Sequence, residues 1–222
     1  FLYLATVLMA GCSSSIKTIE ISNTGSFDRN DEIIQINDKE FLQLFEESDK
    51  WILKNNHNQE IAYQLVKNEN GNLETFIFQA AVPANKKVAY HLKKGNPSPV
   101  EPKTFARFVP ERKDDFAWEN DLAAYRMYGP ALAGENPSNG VDLWLKRTKE
   151  LIVDTFYFNE LQKGQSYHID HGKGLDSYKV GHTLGAGGIA PFWNDSLWIG
   201  KYFNSYKVHY VGPLQSKFSL FY

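Results

Sequence analysis

Residues 61–66 and 74–81 are apolar-rich runs separated by Asn68-Glu69-Asn70-Gly71-Asn72. An Asn-Gly step readily adopts the two positive-φ conformations of a tight reversal, so this stretch predicts a β-hairpin. The same punctuation recurs along the first hundred residues. Ile19 and Ile21, then Ile33, Ile34 and Ile36, flank the polar turn Thr24-Gly25-Ser26, which predicts a hairpin or two neighbouring strands. Residues 88–92 supply another short strand. Residues 41–51 read instead as a short helix, with Phe41, Leu42, Leu44 and Phe45 on its apolar side and Asn37 or Asp38 as its cap. A meander of short strands predicts a mainly β fold, an antiparallel β-sandwich with few short helices.

Charge and composition narrow the function classes. Lys and Arg number 24 against 26 Asp and Glu, a formal charge of −2, so the chain has no general basic field for a polyanion, and nucleic acid is excluded as the expected partner. A 42% hydrophobic content with 14% aromatics supports a packed core and excludes a mainly disordered chain. Aromatics fill sandwich cores and also form the flat platforms on which sugar rings stack.

Residues 1–10, FLYLATVLMA, form an apolar run too short to span a bilayer, which needs about 20 helical residues. They read as the core of an export signal. Leu8-Met9-Ala10-Gly11-Cys12 is similar to a lipoprotein lipobox, which predicts a signal peptide over 1–12 and lipidation of Cys12. The product is then a membrane-anchored protein of the bacterial cell envelope, in the periplasm or at the cell surface. Cys12 is the single cysteine, so the body after it has no disulfide, thiolate metal site or cysteine nucleophile. A start Met and basic leader are missing, and the chain stops inside the apolar run 218–222, so a fragment of a longer protein is expected.

Residues 93–103, KKGNPSPVEPK, carry three prolines and a glycine and are the candidate internal linker. Three segments after it mix charges with aromatics. In the first, residues 107–129, Arg112, Glu119 and Arg126 lie among Trp118, Tyr125 and Tyr128. Sugar sites need such stacking faces beside directional polar groups, but a salt-bridged loop with core aromatics has the same composition. Spacing leaves strand and helix open here. In the second, Asp142, Trp144 and Lys146 share one face of a predicted strand at spacings of about 7 Å, either gripping a polar ring or forming an edge strand's solvent face.

The third segment is the richest. His168-Ile169-Asp170-His171-Gly172 is followed by Lys173, Asp176, Tyr178 and His182. Imidazole exchanges protons near neutral pH, and a neighbouring carboxylate fixes its tautomer. His171 is the expected general base or acid and Asp170 its orienting partner. In an extended segment His168 and Asp170 share a face and His171 opposes them, which disfavours a simple three-ligand metal site. No cofactor is predicted, and a divalent metal completed by His182 stays open. The glycines at 172, 174, 181, 185, 187 and 188 permit close approach of backbone to a ligand, but their order is not that of a phosphate loop.

The strings RFVPERKDDFAWEND (107–121), YRMYGPAL (125–132), SNGVDLW (138–144) and HIDHGKGLDSYKVG (168–181) resemble the DUF4861 family of bacterial exported proteins, from about residue 17 to the end. Members are generally near 400 residues, so this chain resembles an N-terminal half. The resemblance implies a fold similar to the galactose-mutarotase-like super-sandwich and a gene neighbourhood of pectin- and ulvan-type polysaccharide degradation; it supplies no reaction. The combined expectation is a lipid-anchored protein acting on an acidic polysaccharide or its oligosaccharides by hydrolysis, lysis or isomerisation. Arg112 and Arg126 would pair a uronate or sulfate, Trp118 and Tyr178 border the sugar, and Glu119, His168, Lys173 and Asp176 contact it. The alternative is a non-catalytic glycan-binding surface lipoprotein.

Overall fold

The computed structural model describes residues 5–8, 16–47, 50–132, 140–181, 183–188, 190–200 and 202–222. It is mainly β, 45% strand and 13% helical, with several antiparallel sheets. Cys12 and His182 lie outside the described residues. No helix among the described residues is long and apolar enough to cross a membrane. The chain divides into two compact units, Phe1–Glu101 and Pro102–Tyr222.

The first unit runs β1 (Ala5–Leu8), β2 (Ile16–Asn23), β3 (Arg29–Ile36), α1 (Lys39–Glu47), β4 (Trp51–Lys54), β5 (Glu60–Ile61), β6 (Tyr63–Lys67), β7 (Leu73–Val82) and β8 (Lys86–Lys94). Its sheets are ordered β1-β2-β8-β4-β5 and β3-β7-β6. Both bury one core, to which the first sheet gives Ile19, Ile21, Leu53, Tyr90 and Leu92 and the second Ile34, Ile36, Phe76 and Phe78. The β6–β7 hairpin forms where the Asn-Gly step predicts, but only Gly71, at φ 82°, takes positive φ there, and the turn is closed from Asn68, whose N donates to Asn72 O and whose O accepts from Gly71 N, both at 2.9 Å. The polar turn at 24–26 joins two strands as expected, but β2 pairs with β8 and β3 with β7, so the turn passes from one sheet to the other. Helix α1 ends at Glu47, and Trp51 begins a strand; Asp38 Oδ1 caps the helix by accepting from Phe41 N at 2.8 Å. Phe41 and Phe45 of α1 pack against Phe76, which explains why a helix with so few turns is stable here.

The second unit opens with β9 (Thr104–Val109), a 3₁₀ turn (Pro110–Arg112), β10 (Asp115–Asn120), β11 (Ala123–Met127) and a second 3₁₀ turn (Pro130–Leu132). Then come β12 (Asp142–Lys146), α2 (Val153–Lys163), β13 (Gly174–Asp176), β14 (Phe192–Trp193), β15 (Ser196–Leu197), β16 (Ser205–Tyr210) and β17 (Lys217–Phe221). One antiparallel sheet, β13-β12-β11-β10-β9, carries the unit. The segment 107–129, open between helix and strand in sequence, is three successive strands. On one face Ala117, Ala124 and Trp144 pack under Val153, Phe156 and Tyr157 of α2. On the other, Phe116 and Trp118 pack with Phe218 of the β16–β17 hairpin.

At one end of the helix-covered face, buried Glu119 accepts from Ile152 N at 2.9 Å and Val153 N at 2.8 Å, and from Lys146 Nζ at 2.8 Å. A carboxylate from a neighbouring strand thus caps the first turn of α2, where the helix dipole favours negative charge. Glu119→Gln keeps an acceptor for one amide but leaves Lys146 without its counter-charge. Loss of about 2 kcal/mol in urea unfolding is the expected result.

Candidate functional site

The other end of that sheet face is polar. Strand register sets Arg126 directly opposite Asp142, and Trp144 opposite Asp176. The pleat therefore brings Asp115, Arg126, Asp142 and Asp176 to the same buried face. Arg126, 2% exposed, donates through Nε and Nη2 to Asp142 Oδ2 at 2.9 and 2.5 Å, and through Nη2 to Asp176 Oδ2 at 3.0 Å. Its Nη1 donates to Tyr167 Oη at 2.8 Å and lies 3.6 Å from Asp115 Oδ2. The rings of Tyr128, Trp144 and Tyr167 face the guanidinium at 4.7, 5.5 and 5.6 Å from its carbon. One cation thus holds three buried carboxylates.

One guanidinium does not offset three ionised carboxylates, and the protonation of the cluster follows. Burial pushes Asp115 up to about 7 against the pull of Arg126 and Arg112. Burial, with repulsion from Asp142, pushes Asp176 up to about 6. Burial opposes the charge on Arg126 too, but Tyr157, Tyr167 and Asp115 outweigh it and the guanidinium stays charged. Oδ1 of Asp115 and Oδ1 of Asp142 are buried without a hydrogen-bond partner among the described residues.

An open pocket of about 450 Å³ reaches down to this cluster. Arg126, Tyr128 and Asp176 form its inner part, and Arg112, Lys113, His168, Tyr178 and Lys179 its rim. Arg112 is presented by an unusual local turn. The 3₁₀ turn at 110–112 is followed by Lys113 and Asp114 at φ 53° and 57°, a left-handed pair. Gly129 makes room for it: a Cβ there would lie 1.7 Å from the Asp114 carbonyl oxygen. Arg112 Nε then donates to Tyr167 Oη at 3.1 Å. Its two Nη atoms have no hydrogen-bond partner among the described residues.

His168 sits over Asp176, with Nδ1 3.3 Å from the Asp176 carbonyl oxygen and 3.4 Å from Oδ2. Among the described residues no group of three His, Cys, Asp or Glu is disposed to hold a metal ion. In the carboxylate cluster itself the guanidinium stands where a cation would be held.

A family model described as "Domain of unknown function (DUF4861)" matches residues 21–222, which include every residue of this pocket. The chain belongs to the DUF4861 family. A relative named "Uncharacterized protein P7", from Formosa agariphila, is 36% identical over 167 residues, 70% of this chain and 42% of the relative. The chain therefore spans less than half the length of that relative. No solved structure matches it.

In this DUF4861 chain five of the residues expected at a site, Arg112, Arg126, His168, Asp176 and Tyr178, converge on one pocket. Five others sit elsewhere. His171 Nε2 lies 3.0 Å from Ser166 O and lines a separate groove of about 260 Å³ with Lys173, Gln165 and Phe156. Asp170 does not orient it by a hydrogen bond. The Asp170 carboxylate closes its own turn, accepting from Gly172 N at 2.7 Å and Gly174 N at 3.1 Å and pairing with Arg147 at 2.9 Å, and those two amides hold it below the usual carboxylate range. Lys173 pairs with Glu150. Trp118 stacks on Tyr125 in the opposite core, and Glu119 is the helix cap.

The face of β12 also corrects an expectation. Asp142, Trp144 and Lys146 do share a face, but it is the buried one, not a solvent face, while Leu145 is 50% exposed. Nor does the close approach at Gly185 serve a ligand: a Cβ there would meet the Val141 carbonyl oxygen at 2.2 Å. Asp115, Tyr128 and Tyr167 were not expected at the site. The adjacent acidic pair Asp114-Asp115 next to apolar Phe116-Ala117 was the signal available for Asp115, because alternation turns every second residue of such a strand inward.

Proposed function

We propose that this chain is part of an exported, lipid-anchored, carbohydrate-active protein, and that its pocket takes an acidic sugar from a polysaccharide or its oligosaccharides. The observation that carries this reading is the convergence of Arg112, Lys179, Tyr178 and His168 around an inner wall of buried Arg126 and Asp176. A uronate carboxylate or a sulfate matches the fork of a guanidinium, and Arg112 lines the pocket with its Nη atoms unpartnered among the described residues. Tyr178, 37% exposed, gives a ring edge against a pyranose, while His168 and Asp176 supply directional partners for hydroxyls. The buried cluster behind them holds these side chains in place before a ligand arrives, which lowers the ordering cost of binding.

The reaction class is hydrolysis, lysis or sugar isomerisation. For the fold, a galactose-mutarotase-like super-sandwich is proposed, supported by the two sheets of the first unit that bury a common core. The lipid anchor rests on the apolar run and Cys12. Calorimetric titration with galacturonate oligosaccharides, and with the corresponding neutral galactose oligosaccharides, tests the pocket. Arg112→Ala is expected to weaken the acidic ligand at least about tenfold, near 1.4 kcal/mol, and Lys173→Ala to leave it unchanged. Equal binding of acidic and neutral sugars, or no response to Arg112→Ala, would refute the reading.

A further inference from the structure

We propose that His168, not His171, is the proton acceptor of the pocket, with Asp176 as the positioning residue that fixes its tautomer. The argument is one of donors and acceptors. Nδ1 of His168 faces two oxygens of one residue, the Asp176 carbonyl at 3.3 Å and Oδ2 at 3.4 Å. A carbonyl oxygen only accepts, so Nδ1 carries the hydrogen. In the neutral ring the lone pair then belongs to Nε2, which has no hydrogen-bond partner among the described residues and sits on a side chain 51% exposed at the pocket. A neutral imidazole with its second nitrogen tied to a fixed acceptor is the arrangement a general base requires.

Asp176 is in turn held by Arg126, whose Nη2 donates to the same Oδ2 at 3.0 Å. The chain of contacts runs from the buried guanidinium through the carboxylate to the imidazole, so the ring inherits its orientation from the sheet register. His171 has the opposite arrangement. Its Nε2 faces Ser166 O at 3.0 Å, which places the hydrogen on Nε2, and its groove contains neither Arg126 nor Asp176.

The step is a single proton transfer. An O–H or activated C–H bond of the bound ligand breaks, its electron pair stays on the ligand atom, and a new N–H bond forms at Nε2. The imidazolium so formed keeps its hydrogen at Nδ1 and is balanced by Asp176. The cationic groups that line the same pocket are Arg112, Lys113, Arg126 and Lys179; they stabilise the anion left on the ligand and oppose the imidazolium charge, which Asp176 offsets.

This role rests on the saccharide reading only for the identity of the ligand, so two measurements separate them. Long-range ¹H–¹⁵N spectra of the intact chain above pH 8, assigned with His168→Gln, report the neutral tautomer directly. His168 is expected in the Nδ1–H form and His171 in the Nε2–H form. Asp176→Asn removes the carboxylate but keeps the backbone carbonyl, so His168 is expected to stay mainly Nδ1–H there with only a partial shift toward Nε2–H. An Nε2–H tautomer at His168 in the unmodified chain overturns the proposal whether or not any sugar binds.

The second measurement is turnover of galacturonate oligosaccharides by the full-length protein. His168→Gln is expected to lower kcat about 100-fold or more with KM changed less than threefold, and His171→Gln to leave both unchanged. Equal losses in the two variants, or none in His168→Gln, also overturn it. Failure of every acidic sugar to bind removes the saccharide reading and leaves the tautomer to decide the role of His168.

Discussion

Arg126→Met is expected to cost the second unit about 3–5 kcal/mol, the range for removing one partner of a buried charge cluster. The side chain is similar in length and apolar, so the loss is electrostatic rather than a packing void. Without the guanidinium, Asp142 loses two charge-assisted hydrogen bonds and Asp176 one, and Tyr167 Oη loses its 2.8 Å donor. Three buried carboxyl groups then face one another with no central cation. Set against a usual domain stability of about 5–15 kcal/mol, that loss takes up a large part of the total.

Arg126→Lys does not restore it, because one ammonium has no planar fork to meet Asp142, Asp176, Tyr128 and Tyr167 together. Adding Asp142→Asn to Arg126→Met is expected to recover part of the loss by removing one unpaired charge. Urea unfolding followed by tryptophan fluorescence, to which buried Trp144 in the cluster is one of five contributors, measures all three variants. A midpoint for Arg126→Met within experimental error of the parent would mean that the cluster does not stabilise the unit.

The second large effect is a fall in stability as pH rises. Asp115 keeps its proton in the folded protein to about pH 7, whereas in the unfolded chain it releases it near 3.9. The folded state therefore binds more protons between these values, and stability from this group is complete below about pH 4 and lost as pH rises through 7. Asp176 adds the same sign over a narrower window that closes at about 6. Each such proton contributes up to about 1.4 kcal/mol per pH unit, so Asp115 alone accounts for as much as about 4 kcal/mol across its window.

Asp115→Asn isolates this term. The amide carries no charge at any of these pH values and occupies the volume of the protonated acid, so its stability profile lacks the Asp115 contribution and keeps only the slope from Asp176 below about 6. At pH 8 the variant is expected to be more stable than the parent by about 2 kcal/mol or more, and near pH 4.5 the two converge. Parallel profiles from pH 4.5 to 8 would show that Asp115 is ionised throughout and that burial is offset by its arginine neighbours.

Several local structures follow from short-range chemistry and were legible from residues alone. The turn at 68–72 forms where it was expected because Gly71 takes positive φ at no steric cost, a property of glycine and not of its surroundings. Asp38 caps α1 because a carboxylate three residues before a free amide needs no distant partner. Strand pairing is different. The turn at 24–26 was legible as a turn, but whether β2 and β3 pair or enter separate sheets depends on β7 and β8, whose paired residues lie 40 or more positions away.

The site separates in the same way. Arg112, Arg126, His168, Asp176 and Tyr178 were found by side-chain chemistry, since ligand-gripping groups are a small set of residue types. His171 was set with Asp170 as its partner by adjacency in the sequence, and the extended reading of 168–171, which opposes those two residues, was applied to the metal question alone. That stretch is a turn, so alternation does not hold, and Asp170 is engaged by the amides of its own loop. The inward face of β12 was obscured for a related reason. Asp142, Trp144 and Lys146 read as gripping a polar ring or facing solvent, yet their side chains are buried, because cations and carboxylates from β10, β11 and β13 compensate the charges.

By itself the sequence determined a mainly β chain of antiparallel strands, its membership in the DUF4861 family, its turns and caps, and the residue types available for a polar site. Only the tertiary structure decided which of those residues meet. Arg126 stands opposite Asp142 through strand register, Asp176 reaches the same guanidinium from β13, and His168 takes its orientation from Asp176. The physical reason is range. Turn and cap preferences act over a few residues, whereas burying three carboxylates around one arginine requires strands 50 residues apart in sequence to desolvate and neutralise one another together.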